Sequence, residues 1–187
     1  MPAESLIDLS VVILAAFIGG TINALAGGGS FLTLPALVFT GVPPVAANAT
    51  GTTALLPGYL ASVWGCRDLI RAPSGMTLMA IVLLGALGGS LGAGLLLLTS
   101  NDAFSAIVPW LLLFATGLFA AGPTIHRRLS PRFRAAGGLP GRMGILAVSA
   151  YGGYFAGGMG IVMLAAFRLL GVDDINLASA LKNLLSA

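Results

Sequence analysis

The sequence predicts an all-α fold, a polytopic transmembrane helical bundle with an internal repeat and Gly-interrupted or re-entrant half-helices. Three observations predict it: long stretches without an ionisable side chain, short apolar segments bounded by glycine and proline, and an ungapped self-match at a shift of 130 residues.

The first observation fixes the solvent. Of 187 residues, 57% are hydrophobic and only 8% are charged, where an ordinary soluble domain carries about 25%. Residues 9–66, 73–101 and 103–125 contain no Asp, Glu, Lys, Arg or His. A helix of about 20 such residues crosses about 30 Å of hydrocarbon. The lipid bilayer is therefore the expected partner of the outer surface.

The remaining charge is patterned. Seven of the nine Lys and Arg residues fall in two short basic loops, Arg67 and Arg71 in one and Arg127, Arg128, Arg132, Arg134 and Arg142 in the other. Short basic loops beside apolar spans mark the cytoplasmic side. They carry no interleaved aromatics and no basic module, which argues against nucleic-acid binding. Cys66 and His126 are each the only residue of their kind, so neither an intrachain disulfide nor a metal site is expected, and no cofactor is implied. Ala24-Leu25-Ala26 has the look of a signal-peptidase site, but Glu4 and Asp8 stand where a signal peptide needs positive charge. Residues 6–26 are read as a permanent span.

The elements follow in order. A helix over residues 6–26 ends at Gly27-Gly28-Gly29. Residues 30–40 form a short apolar segment closed by Gly41-Val42-Pro43-Pro44, reaching only about 17 Å as a helix. Irregular backbone at that depth is tolerated where it is buried in protein or lines an aqueous cavity. Residues 45–66 make a full span. Residues 74–98 and 103–125 make a hairpin of two spans. The glycines at 85, 88, 89, 92 and 94 recur at small-xxx-small spacing, which favours close helix packing. An apolar stretch over 143–170 is interrupted by Gly157-Gly158-Met159-Gly160, and a last helix starts near Ile175. This divides the chain into a first transmembrane repeat (1–125), a basic cytoplasmic loop (126–142) and the start of a second repeat (143–187).

The self-match lays residues 26–36 over 156–166 and Gly41-Val42 over Gly171-Val172. Paired Gly-interrupted segments at matching positions are a sequence pointer to a transporter binding site. Re-entry of residues 30–40 would make the halves parallel, and a full crossing would make them inverted; their length favours re-entry.

The residues around the breaks resemble those of the sulfite exporter TauE/SafE family of membrane proteins. The likeness is carried by Asn23-Ala24-Leu25-Ala26-Gly27-Gly28-Gly29-Ser30, Leu34-Pro35, Gly41-Val42-Pro43-Pro44 and Ala47-Asn48-Ala49-Thr50-Gly51-Thr52. Gly157-Gly158-Met159-Gly160 and Ala180-Leu181-Lys182-Asn183 fit as the second copy. The resemblance implies a carrier in the bacterial inner membrane for sulfite, a sulfonate or a related sulfur-containing anion. An intramembrane enzyme would need a paired nucleophile and base or a metal site; no H-E-x-x-H occurs and the one His falls in a loop, so no enzyme is expected. The family would continue with further spans, so the sequence reads as a truncated one.

The candidate binding residues follow from what an anion needs within a bilayer. Helix amino ends supply free N–H groups and partial positive charge, and glycine lets backbone approach a ligand. Gly27, Gly28, Gly29 and Ser30, with Gly157, Gly158 and Gly160, offer both, although they also suit close helix packing. Asn23, Asn48, Thr52 and Asn183 are hydrogen-bonding groups within apolar spans; packing between helices is their other reading. Lys182 lies in an apolar helix, where a cation is costly and by default functional. It would compensate a bound anion, snorkel to an interface, or pair with Asp173 or Asp174. Arg168 is expected to pair with one of those carboxylates. The expected function is secondary transport of a small inorganic or organosulfur anion, with a coupling proton or ion. The alternative is a non-transporting membrane subunit or assembly factor.

Overall fold

A computed structural model describes residues 3–73, 75–133, 138–172 and 174–187, and every regular element among them is helical. The order is α1 (Ala3–Ala26), α2 (Ser30–Phe39), α3 (Pro44–Gly65), α4 (Leu78–Leu98), α5 (Asn101–Phe133), α6 (Leu139–Tyr154), α7 (Met159–Leu169) and α8 (Ile175–Ser186). A short 3-10 turn, Arg67–Leu69, follows α3.

The surface is apolar and the interior holds the polar groups. Phe17 is 74% exposed and Leu98 87%, whereas Asn23, Ser30, Asn48, Ser149 and Lys182 are buried. In water this arrangement would be unstable. In lipid it is the expected one, because unpaired polar groups must be kept from hydrocarbon. Two helices among the described residues are long and apolar enough to cross a membrane, α1 through Leu6–Asn23 and α4 through Leu78–Leu98.

Helix ends follow local chemistry. Pro44 opens α3, where its missing N–H costs nothing. The Asn101 side chain accepts from the Val45 amide at 3.1 Å, tying the start of α3 to the α4–α5 turn. α4 begins at Leu78 rather than at Ser74 as the apolar run suggests, because Gly75 takes a positive φ of +85° and Thr77 caps the helix through the Ala80 amide. α5 continues beyond Ile125 to Phe133, so the first part of the expected basic loop is helical. α6 begins at Leu139 within the same expected loop, with Pro140 in its first turn. Arg134 lies outside the described residues. Asp174 caps α8 through the Asn176 and Leu177 amides at 2.9 and 3.4 Å. It makes no ion pair with Arg168, because its carboxylate is used at the helix end; Asp173 lies outside the described residues.

Glycine sets the closest packing. A β-carbon on Gly88 would stand 2.5 Å from the Leu146 carbonyl oxygen, and one on Gly92 would stand 2.7 Å from the Tyr154 nitrogen. From the other side, Gly153 of α6 presses on Gly89 of α4. Gly94 faces open space and has no part in this contact. Apolar burial yields little against lipid tails, so such backbone approach supplies the van der Waals contact that holds membrane helices together.

Two clusters fill the remaining interior. Met76, Ile81, Ile145, Met163, Phe167 and Leu181 join α4, α6, α7 and α8. Leu34, Ala47, Leu96, Phe104 and Phe155 join α2, α3, α4 and α5 around the α6–α7 break. Phe104 and Phe155 meet edge-on with ring centres 6.2 Å apart, a favourable aromatic geometry.

Candidate functional site

The two half-helices end alike. At the end of α2, the Gly41 amide donates to the Val38 carbonyl and Val42 to Leu37, at 3.0 and 3.1 Å. At the end of α7, Gly171 donates to Arg168 and Val172 to Phe167, at 3.1 and 3.0 Å. Gly41 and Gly171 take φ of +86° and +83°, the left-handed turn that closes a helix. Every partner is related by the 130-residue shift. At 10 and 11 residues, the half-helices reach only about 15–17 Å, half the hydrocarbon thickness.

Their entrances differ by one residue. Gly27 carries the positive φ ahead of α2 and Gly158 ahead of α7, where the 130-residue register would pair Gly27 with Gly157. Both breaks are closely packed. Gly27 meets Gly160, Gly29 meets Gly19 and Asn23, Gly157 meets the Phe155 ring, and Gly158 meets Ala115 and Phe31. Gly28 is less crowded: its β-carbon would stand 3.4 Å from the Phe31 ring and 4.0 Å from an Ile22 methyl. The Tyr151 hydroxyl donates to the Gly157 carbonyl at 2.9 Å, which pins the second break.

Beside the first break lies a cavity of about 230 Å³ between α1, α2, α3 and α8. Its polar lining is Asn23, Thr33, Tyr59, Ser62 and Asn183, and its floor is opened by Gly20, Gly51 and Gly58. A β-carbon on Gly51 would stand 3.2 Å from the Thr33 hydroxyl oxygen, and one on Gly19 would stand 3.0 Å from the Thr33 methyl. Glycine on both flanking helices thus makes room for Thr33. Its hydroxyl is buried with no hydrogen-bond partner among the described residues. Such a group costs about 1–3 kcal/mol when left unmet, so a ligand or water is the expected partner. Asn23, 6% exposed, accepts from the Tyr59 hydroxyl through Oδ1 at 3.2 Å.

The structure brings Asn23 and Asn183 together in this cavity. Ser30 lines a second, more apolar cavity of about 290 Å³ on another face of α2, with Phe31, Leu34, Val108 and Leu112. The glycines at 27, 28, 29, 157, 158 and 160 form the surrounding backbone and do not line either cavity. Asn48 donates to the Tyr154 carbonyl at 3.2 Å, satisfying the open end of α6. Thr52 returns its hydroxyl to the Asn48 carbonyl at 2.7 Å and is exposed. Lys182, next to Asn183 in α8, is 2% exposed. That burial rules out snorkelling, and among the described residues the one ion pair is Arg67–Asp68. Thr33, Tyr59 and Ser62 were not marked by sequence; each is a single hydroxyl in an apolar helix, and only tertiary assembly shows them facing one space.

Residues 12–187 match the profile of the sulfite exporter TauE/SafE family. The chain belongs to that family. It is 30% identical over 177 residues to a probable membrane transporter protein, ORF9, of Sinorhizobium, covering 87% of this chain and 64% of the relative. A probable membrane transporter protein of Haemophilus influenzae is 32% identical over 169 residues, covering 88% and 64%. YfcA of Escherichia coli K12, also a probable membrane transporter protein, is 29% identical over 184 residues, covering 96% and 66%. The chain thus spans about two thirds of the length of these relatives. No solved structure matches it. These relatives are named as membrane transporters and not as enzymes.

Proposed function

We propose that the protein is a multi-pass carrier of the bacterial inner membrane that moves a small sulfur-containing oxyanion, sulfite or a sulfonate, with a proton or ion as coupling partner. The carrying observation is the cavity where α1, α2 and α3 meet α8, lined by neutral hydrogen-bonding groups that include Asn183, the residue after the buried Lys182. A buried cation is retained in lipid when a partner compensates it, and in this reading the carried anion is that partner. Asn23, Thr33 and Asn183 supply donors, and the packed glycines at 27, 29, 157, 158 and 160 keep the broken helices in place around them.

Orientation agrees with this reading. The start of α3 is tied to the α4–α5 turn through Asn101, and its other end carries Trp64 with the Arg67 guanidinium 5.1 Å from the ring centre. Trp and Arg at a helix end mark a membrane interface, and basic loops mark its cytoplasmic side.

The test is anion flux into proteoliposomes, with sulfite as the probe. Lys182→Met is expected to abolish saturable flux while the protein still inserts. Substitution of Gly28 by a bulky residue is expected to reduce flux by crowding Phe31 at the break. Sulfite flux no faster than in empty vesicles would overturn the carrier reading in favour of a non-transporting subunit.

A further inference from the structure

The cavity beside the first break shows a polarity that narrows its ligand. Of its polar lining, Asn23 is the most constrained. Its backbone carbonyl accepts from the Gly27 amide at 3.0 Å, and a β-carbon on Gly29 would stand 2.7 Å from the Asn23 β-carbon. Its Oδ1 is taken by the Tyr59 hydroxyl at 3.2 Å. What remains of the carboxamide is the NH₂ group, a donor. Thr33 adds a hydroxyl with no partner among the described residues. Ser62 and Asn183 can rotate to donate or accept. Among the described residues no carboxylate lines the cavity, and the rest of its lining is apolar, with Ala16, Ala54 and Leu55.

We infer that this cavity selects oxyanions that only accept hydrogen bonds, such as a simple sulfonate, against zwitterionic sulfonates that carry an ammonium group, with Tyr59 setting that selectivity by holding the Asn23 amide donor-side inward. The inference rests on the anion-carrier reading above. An ammonium brought into this space loses its water and finds no carboxylate among the described residues to compensate its charge. A sulfonate meets the same donors as partners, and charge-assisted hydrogen bonds are the stronger kind. Tyr59 touches the ligand's partner and acts through it, so it is a positioning residue.

The experiment uses two probes that share a sulfonate and a two-carbon chain, ethanesulfonate and 2-aminoethanesulfonate, as competitors of sulfite uptake in proteoliposomes. Ethanesulfonate is expected to compete at about tenfold lower concentration, the factor expected when a charged group goes unmet. Equal competition by the two overturns the inference and leaves the carrier reading intact, whereas absence of sulfite uptake overturns both. In Tyr59→Phe, the Asn23 amide is released to turn, so the ratio is expected to fall toward one through a raised inhibition constant for ethanesulfonate, with the maximal rate of sulfite uptake unchanged. A retained ratio overturns the role of Tyr59, because a merely structural loss would lower the maximal rate of sulfite uptake and leave the ratio of the two competitors as it was. Should Tyr59→Phe fail to insert, Asn23→Asp keeps the acceptor from Tyr59 and removes the inward donor. It is expected to abolish the preference for ethanesulfonate, and an undiminished preference overturns the inference.

Discussion

Gly27 and Gly160 stand back to back: a β-carbon on Gly27 would lie 2.6 Å from the Gly160 α-carbon. The two Gly-rich breaks, 133 positions apart at these residues (160 − 27), therefore share one contact. No side chain on Gly27 fits without moving the second break.

A pair of alanine substitutions separates conformation from contact. Gly27→Ala meets both a positive φ of +82° and the Gly160 backbone, whereas Gly41→Ala meets a φ of +86° with open space beside it. Gly41→Ala is expected to cost about 1–2 kcal/mol from the left-handed backbone alone. Gly27→Ala is expected to cost more, read as a lower midpoint of thermal unfolding in detergent. Equal losses would show that the back-to-back contact yields readily.

The α4–α6 contact offers a comparison of the same kind within one helix. Gly92→Ala drives a methyl into the Ala150 and Tyr154 backbone, while Gly94→Ala points into open space. Gly94→Ala is expected to leave thermal stability unchanged or slightly raised, since alanine is about 1 kcal/mol better than glycine in a helix. Gly92→Ala is expected to lower it clearly.

Tyr151 holds the second break by one hydrogen bond to the Gly157 carbonyl. Tyr151→Phe leaves that carbonyl without its partner, and a loss of about 1–3 kcal/mol is expected. Hydrogen exchange at the Gly158 and Met159 amides should rise with it. Protection equal to wild type would show that the break is held by packing alone.

Lys182→Met exchanges a buried ammonium for an apolar chain of similar length. Burying a charge costs stability unless it is compensated, so in anion-free buffer the variant is expected to unfold at a temperature equal to or above wild type. Added sulfite is expected to stabilise the wild type and leave the variant unmoved. A variant that unfolds at a clearly lower temperature would assign Lys182 a structural partner instead.

The helices were legible wherever breakers bound apolar runs. Gly27-Gly28-Gly29 and Pro43-Pro44 framed α2 to within a residue, because backbone chemistry rather than tertiary context stops a helix there. The start of α4 was not legible from hydropathy, since Met76 belongs to the core but sits before the Thr77 cap. The basic run after Ile125 read as loop, yet charge does not stop a helix, and α5 continues. At the site, Asn23, Asn183 and Lys182 stood out as polar groups in apolar surroundings. Thr33 and Thr52 did not differ in sequence, but Thr52 satisfies itself on its own helix while Thr33 is left open toward a cavity. That distinction belongs to the packing of three helices and has no local signal.

The matched glycine endings of α2 and α7 bear on how the protein is made. Segments of 10 and 11 residues fall well short of the roughly 20 apolar residues that form an independent span. Neither can be threaded into the bilayer as a span of its own during synthesis. α2 has to enter as one unit with α1 and α3, and α7 with the helices on either side of it. Biogenesis of this chain is thus counted in helix triplets, with a left-handed glycine at the end of each short middle helix.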